Sequence, residues 1–214
     1  MNTDMVQYYN ERAKEYEKIY DKPERQEDLV AVTLFLQDVF QDKNVFEIAC
    51  GTGYWTEKIA ETARSVVATD INDSVLEIAR LKTYKKNDVS LFKMDIFSEA
   101  NPTKYENLFA GFLWSHIELQ RLAEFIDIID RFVVPGGSVV LIDNNYVEGS
   151  SHAVVETDRF GNTYQKRKLE NGTAHKILKN FPSKEFVLET LASKRESIQF
   201  MNRHYYWTVK YLVG

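Results

Sequence analysis

The spacing of apolar residues changes along the chain. Over the first 40 residues it is helical: Tyr9, Ala13, Tyr16 and Tyr20 fall on one face, and a second apolar run from Leu29 continues through Leu34, Phe35 and Leu36 to Phe40. Two helices are predicted, with Pro23 at the break between them or in the first turn of the second. From residue 45 onward, short apolar runs alternate with helical stretches. Val45-Phe46-Glu47-Ile48-Ala49 reads as a strand ending in Gly51-Thr52-Gly53, and a helix follows over 54–63. A second strand covers 65–70, Asp73 or Ser74 caps a helix to about Tyr84, and strands are expected over 89–94 and 108–114. After a helix over 125–132, Pro135-Gly136-Gly137 turns the chain into a fifth strand over 138–142. Near-continuous apolar strands alternating with helices indicate a parallel sheet covered on both faces, the doubly wound α/β class.

The last third breaks this rhythm. Tyr164 to Leu169 and His175 to Leu178 are strand-like runs around Asn171-Gly172, a strong hairpin signal. Ser183 then caps a helix to about Ala192, and 197–200 with 205–213 form an antiparallel pair. The reading is one domain carrying an insert.

Composition narrows the class. The chain has 214 residues, 44% hydrophobic and 28% charged, which excludes a disordered chain, a collagen-like fibre and a coiled coil. No apolar run approaches the roughly 20 residues that cross a bilayer, so no membrane association is expected. Met1-Asn2-Thr3-Asp4 lacks the basic and apolar regions of a secretory signal, and the lone Cys50 suits a reducing compartment. A cytoplasmic location is expected. The net charge of −5 argues against a dedicated nucleic-acid binder.

Gly51 and Gly53 sit at the carboxyl end of the first strand, where a doubly wound sheet opens a ligand crevice. Glycine there admits close backbone approach and positive φ, and the amides of the next helix favour an anionic group. Asp70, which ends the second strand, is placed to accept hydrogen bonds from a ribose diol; alternatively it is a turn aspartate capping a helix. Asp95 repeats the arrangement after strand three, for an adenine amino group or as an ordinary Asx turn. A dinucleotide fingerprint would need a third glycine where Thr56 stands, which counts against a pyrophosphate seat.

Glu47-x-Ala49-x-Gly51-x-Gly53, then Asp70, Asp95 and Pro135-Gly136-Gly137, resembles the class I S-adenosylmethionine-dependent methyltransferases. Ala49 stands where the usual family loop has glycine. The resemblance implies a Rossmann-like seven-stranded sheet with an antiparallel final strand, N-terminal lid helices and a β-hairpin insert after strand five. The segments are then 1–40 (lid), 41–144 (cofactor-binding core), 145–182 (insert) and 183–214 (final helix and strand pair). It also implies S-adenosyl-L-methionine as cofactor. Ala49, Gly51 and Gly53 would approach its methionine part, with Glu47 near the amino group. Asp70 and Ile71 would hold the ribose end, Asp95 and Ile96 would frame adenine, and Trp114, following strand four, would line the methyl-transfer pocket. The stretch Gly111-Phe112-Leu113-Trp114-Ser115-His116 is similar to small bacterial methyltransferases of mostly unassigned substrate.

His116 follows strand four, where a general base would sit, or it is bonded to backbone at a strand end. The N-terminal stretch from Tyr8 to Tyr16 resembles the lid helix of several such enzymes, in which a tyrosine and an arginine close over the cofactor carboxylate. Tyr8, Arg12 and Tyr16 are the candidates; the plain alternative is an amphipathic helix packed on the core. Residues 159–184 hold seven Lys or Arg against the single acid Glu170, an anion-recognising cluster or a solvated hairpin face. Asp143 faces the crevice or is a turn residue, and no cluster has metal-ligand spacing. The function expected is methyl transfer to a small-molecule acceptor by a monomer or homodimer. The competing readings are an RNA or protein methyltransferase, an NAD(P)-dependent oxidoreductase, and a non-catalytic S-adenosylmethionine binder.

Overall fold

The computed structural model describes residues 3–85, 88–192 and 195–214; Met1 and Asn2 of the N-terminal stretch read above lie outside them. Helix α1 (Thr3–Arg12) tightens into 3-10 turns over Ala13–Asp21 and Pro23–Arg25, then continues as α2 (Gln26–Val39). The alternation that follows is β1 (Asn44–Ile48), α3 (Tyr54–Ala60), β2 (Ser65–Asp70), α4 (Asp73–Leu81), β3 (Val89–Lys93), β4 (Tyr105–Gly111), α5 (Leu122–Asp130) and β5 (Val133–Asn144). Three short strands come next, β6 (Val154–Thr157), β7 (Thr163–Lys168) and β8 (Ala174–Leu178). The chain ends with α6 (Lys184–Leu191), β9 (Arg195–Asn202) and β10 (Tyr206–Val213).

Seven strands pair in the order β3-β2-β1-β4-β5-β10-β9. β1 to β5 are parallel because each is reached by a crossover, whereas β10 runs antiparallel between β5 and β9. The sheet is the seven-stranded, Rossmann-like one expected, with its antiparallel final strand. Successive side chains leave β1 and β4 on opposite faces and feed two cores. Phe46, Ile48 and Leu108 pack with α5 and α6 through Phe125, Ile126, Val187 and Leu191. Val45 and Phe109 pack on the other face with Leu36 of α2, Ile59 of α3 and Leu76 of α4.

Several boundaries move, each for a local reason. The fourth strand begins at Tyr105 and stops at Gly111, because Phe112 takes a left-handed φ of 58° and Trp114–His116 coil into a 3-10 turn. Pro135-Gly136-Gly137 does not precede the fifth strand but bulges within it: Tyr105 pairs with Val133, and Asn107 with Ser138. The cap of α4 is Asn72, with Asp73 already in the first turn. Ser183 caps α6 as expected, accepting from the Phe186 amide. Beyond the predicted hairpin, β6 adds an exposed third strand, and the small sheet order is β6-β7-β8. Tyr8 of α1 packs on Leu169 and Ile177 of this sheet. Among the described residues no helix is long and apolar enough to cross a membrane.

The bulge in β5 leaves no room at Gly137. A Cβ there would stand 2.5 Å from Val133 Cγ1 and 2.8 Å from the Glu106 carbonyl oxygen. Gly137→Ala is therefore expected to lose about 1–3 kcal/mol in chemical denaturation; an unchanged midpoint would mean that the bulge relaxes freely.

Candidate active site

The loop after β1 is built on left-handed backbone. Ala49, Gly51 and Gly53 have φ of 53°, 56° and 80°. At Gly53 a Cβ would meet Tyr84 Oη at 2.7 Å, so glycine is needed for space as well as conformation. Asp70 ends β2 with its carboxylate shared between two turns: Oδ2 accepts from the Gly51 amide at 2.9 Å and Oδ1 from the Asn72 amide at 2.9 Å. Burial pushes its carboxyl upward, against those amides. Thr52 Oγ1 donates to Glu17 at 2.6 Å, and the Tyr16 ring lies across Gly51, fastening the loop to the N-terminal segment.

A cavity of about 760 Å³, its mouth included, opens at the carboxyl ends of these strands. Ala49, Gly51, Asp70 and Ile71 line one side, Asp95 and Ile96 another, and Tyr16 and His116 close it. Asp95 also forms the Asx turn of the plain reading, accepting from the Phe97 amide and Ser98 Oγ at 3.0 Å each. Five candidates lie away from this cavity. Gly53 is turned into α4, and Trp114 is buried edge-on against Trp207 at 5.7 Å. Tyr8 is committed to the small sheet, and Glu47 is buried within β1. Arg12 faces a second cavity instead.

That second cavity, about 590 Å³ including its mouth, lies between the N-terminal segment, the end of β5 and the small sheet. Tyr9, Tyr16, Phe112 and His116 line both cavities and form their common wall. His116 Nδ1 lies 2.6 Å from the Leu178 carbonyl oxygen, so it carries the proton, and Nε2 accepts from Tyr9 Oη at 2.7 Å. Burial first, then the Lys179 ammonium, holds the imidazole pKa well below its ordinary value. Burial raises the Tyr9 phenol, so the pair stays neutral. His116 thus bonds backbone, as the plain reading had it, and meets the second cavity together with Tyr9.

Asp143 does not face the crevice. It is fully buried, accepting from Lys179 Nζ at 2.9 Å and from the Ser115 amide and hydroxyl at 2.9 Å each. Burial lowers the Lys179 ammonium to about 8. The basic run of 159–184 is dispersed: Lys176 pairs with Glu156, Lys179 with Asp143, and only Arg167 and Lys179 reach the cavity. Cys50 is buried and its thiol pushed well up by burial, which fits a packing role.

Sequence reasoning missed Tyr9, Phe112 and Arg25 at the cavities. Tyr9 had a signal, its helical spacing from Tyr16. Phe112 and Arg25 had none, since a left-handed phenylalanine and a buried arginine are products of tertiary packing.

Residues 45–137 match the family model described as a methyltransferase domain. Malonyl-[acyl-carrier protein] O-methyltransferase 2 of Ilyobacter polytropus is 28% identical over 111 residues, 50% of this chain and 41% of that protein. The chain thus matches less than half the length of that curated relative. Among solved structures, the DhpI–SAH complex superposes with a TM-score of 0.81 at 22% identity, over 99% of this chain and 96% of that one. An S-adenosylmethionine-dependent methyltransferase from Clostridium acetobutylicum superposes at 0.64 and 15% identity, over 96% and 99%. The match to a methyltransferase domain thus covers residues 45–137, and the chain shares its fold with these methyltransferase structures.

Two outcomes test the loop. Ala49→Gly removes a side chain from left-handed backbone and is expected to stabilise by about 1 kcal/mol, a rise of about 2–4 °C in Tm; a fall would show that the methyl packs usefully. The Glu47 carboxyl is pushed up to about 8 by burial, and its Oε2 has no partner among the described residues. Between the ordinary carboxylate range and about pH 8 the folded chain therefore holds a proton that the unfolded chain has released. Stability should fall as pH rises through that window. Glu47→Gln should flatten the slope and gain about 1–3 kcal/mol at pH 7.5; thermal melts of both proteins at pH 5 to 8, with identical slopes, would refute this.

Proposed function

We propose that this methyltransferase domain, whose cofactor is S-adenosylmethionine, methylates a small-molecule acceptor held in the second cavity. The observation that carries the reading is the common wall of Tyr9, Tyr16, Phe112 and His116, across which two cavities meet. One lies at the carboxyl ends of the parallel strands, where this fold binds ligands. The other has the size of a small-molecule site.

The residues present fit the cofactor. Ala49 and Gly51 leave backbone open to its methionine part, and Asp70 faces the cavity where ribose hydroxyls need an acceptor. Ile71, Asp95 and Ile96 line the same cavity and would frame the adenine. Glu47, buried in β1 with its Oε2 unpartnered, does not itself line the cavity. When bound, S-adenosylmethionine supplies an electrophilic methyl group, which an acceptor lone pair takes as the carbon–sulfur bond breaks and a neutral thioether remains.

The chain's own task is alignment and exclusion of water. Tyr9, Tyr16 and Phe112 present ring surfaces at the wall, which tolerate a positive sulfur and keep water out. The Tyr9 hydroxyl, fixed by His116 Nε2, offers one oriented polar atom to an acceptor. A proton leaving the acceptor would pass through Tyr9 to His116, so His116 acts behind Tyr9.

The test is calorimetric titration with S-adenosylhomocysteine and, separately, NADH. Micromolar binding of the first, weakened about tenfold or more in Asp70→Asn, is the expected result. NADH binding without S-adenosylhomocysteine binding would overturn the reading.

A further inference from the structure

The wall of the second cavity holds Arg12, Arg25, Arg167 and Lys179 and not one aspartate or glutamate, in a chain whose acids outnumber its lysines and arginines 32 to 27. Lys179 is neutralised from behind by Asp143. Among the described residues no carboxylate forms an ion pair with any of the three arginines, although Glu24 shares the Ser150 hydroxyl with Arg25. Arg12 is flanked by the rings of Tyr8 and Tyr16, 5.8 and 5.3 Å from its guanidinium carbon. Arg25 is only 3% exposed; it donates to the Ser150 hydroxyl and carbonyl and to Asn144 Oδ1, with its face over Tyr205. Arg167 donates to Gln165 Oε1 from Nε and Nη2, at 3.3 and 2.9 Å.

Two arginines outside this cavity show the alternative, an ion pair with carboxylates. Arg195 is paired with Asp127 and Asp130, and Arg121 with Glu124. A buried or half-buried guanidinium is costly unless an anion compensates it. Three such groups come from α1, the turn before α2, and β7, so no local sequence constraint brings them together. They converge near His152, whose pKa is pushed down by burial and by the fields of Arg167, Arg12 and Arg25. Neutral donors and acceptors, Asn144, Ser151 and Gln165, fill the wall between them.

We propose that the acceptor carries an oxyanion head group, of phosphoryl or carboxylate type, bound by the forked guanidinium groups of Arg12, Arg25 and Arg167. The inference rests on the methyl-transfer reading above and names the substrate class for the same site. Guanidinium forks match such oxygens in pairs of parallel hydrogen bonds. The dispersal of the other basic residues leaves the positive charge concentrated in a pocket rather than along a track, which suits a small anion.

The full chain, saturated with S-adenosylhomocysteine, is titrated by calorimetry with inorganic phosphate and with acetate at low ionic strength. At least one is expected to bind, and Arg167→Gln should weaken it about tenfold or more while S-adenosylhomocysteine affinity is unchanged. Tighter phosphate binding assigns a phosphoryl-type head and tighter acetate binding a carboxylate; either supports the proposal. S-adenosylhomocysteine binding with neither anion bound, or with anion affinity unaltered in Arg167→Gln, overturns it and leaves the methyltransferase reading standing. Loss of S-adenosylhomocysteine binding by the unaltered chain would instead overturn that reading. If Arg167→Gln itself loses S-adenosylhomocysteine, Arg167→Lys, which keeps the charge but not the fork, decides by the same comparison.

Discussion

The Asp70 carboxylate receives the Gly51 amide on one oxygen and the Asn72 amide on the other. Those two bonds lock the turn after β1 to the turn after β2, although the turns are separated by a whole helix. Once the first loop is fixed, Thr52 holds Glu17 and Gly51 lies under Tyr16, so the N-terminal segment has a seat. That segment carries Tyr9 to His116 and Arg12 to the second cavity. The chain of dependence thus runs from one buried carboxylate to both cavities. The strain of Ala49 at positive φ is tolerated because the same loop is held at so many points.

Charge at the site is arranged by burial in two opposed ways. Lys179 and Asp143 are both buried and satisfy each other and Ser115, so they stiffen the junction between β5 and the turn after β4 without adding net charge to the cavity. The Glu47 carboxyl, protonated up to about pH 8, adds no charge either, whereas the three cavity arginines have no carboxylate ion-paired with them. Each of these arginines costs stability in the ligand-free chain and gains from a ligand of opposite sign.

Where the N-terminal segment leaves regular α-helix, its tyrosines form an aromatic column. Tyr20 stacks on Tyr54 with centroids 3.7 Å apart, while Tyr16 meets Tyr9 at 5.9 Å and Tyr20 at 6.1 Å. The tighter 3-10 turns carry this aromatic column from the cofactor loop to the small sheet, which regular α-helical spacing alone did not anticipate.

Local pattern determined the alternating strands and helices, the Ser183 cap, the Asn171-Gly172 hairpin, and the glycine loop with Asp70 and Asp95 at the strand ends. Those features depend on periodicity and on backbone conformations that few residue types allow, and both are written in adjacent positions. Tertiary structure alone decided that Pro135-Gly136-Gly137 forms a bulge, that β6 joins the insert, and that Trp114 and Tyr8 pack away from the cavity. It alone brought Tyr9 to His116, across 107 positions, and gathered Arg12, Arg25 and Arg167 around one space. Such meetings depend on how distant elements stack. In the sequence, a buried unpaired arginine looks the same as one on the surface.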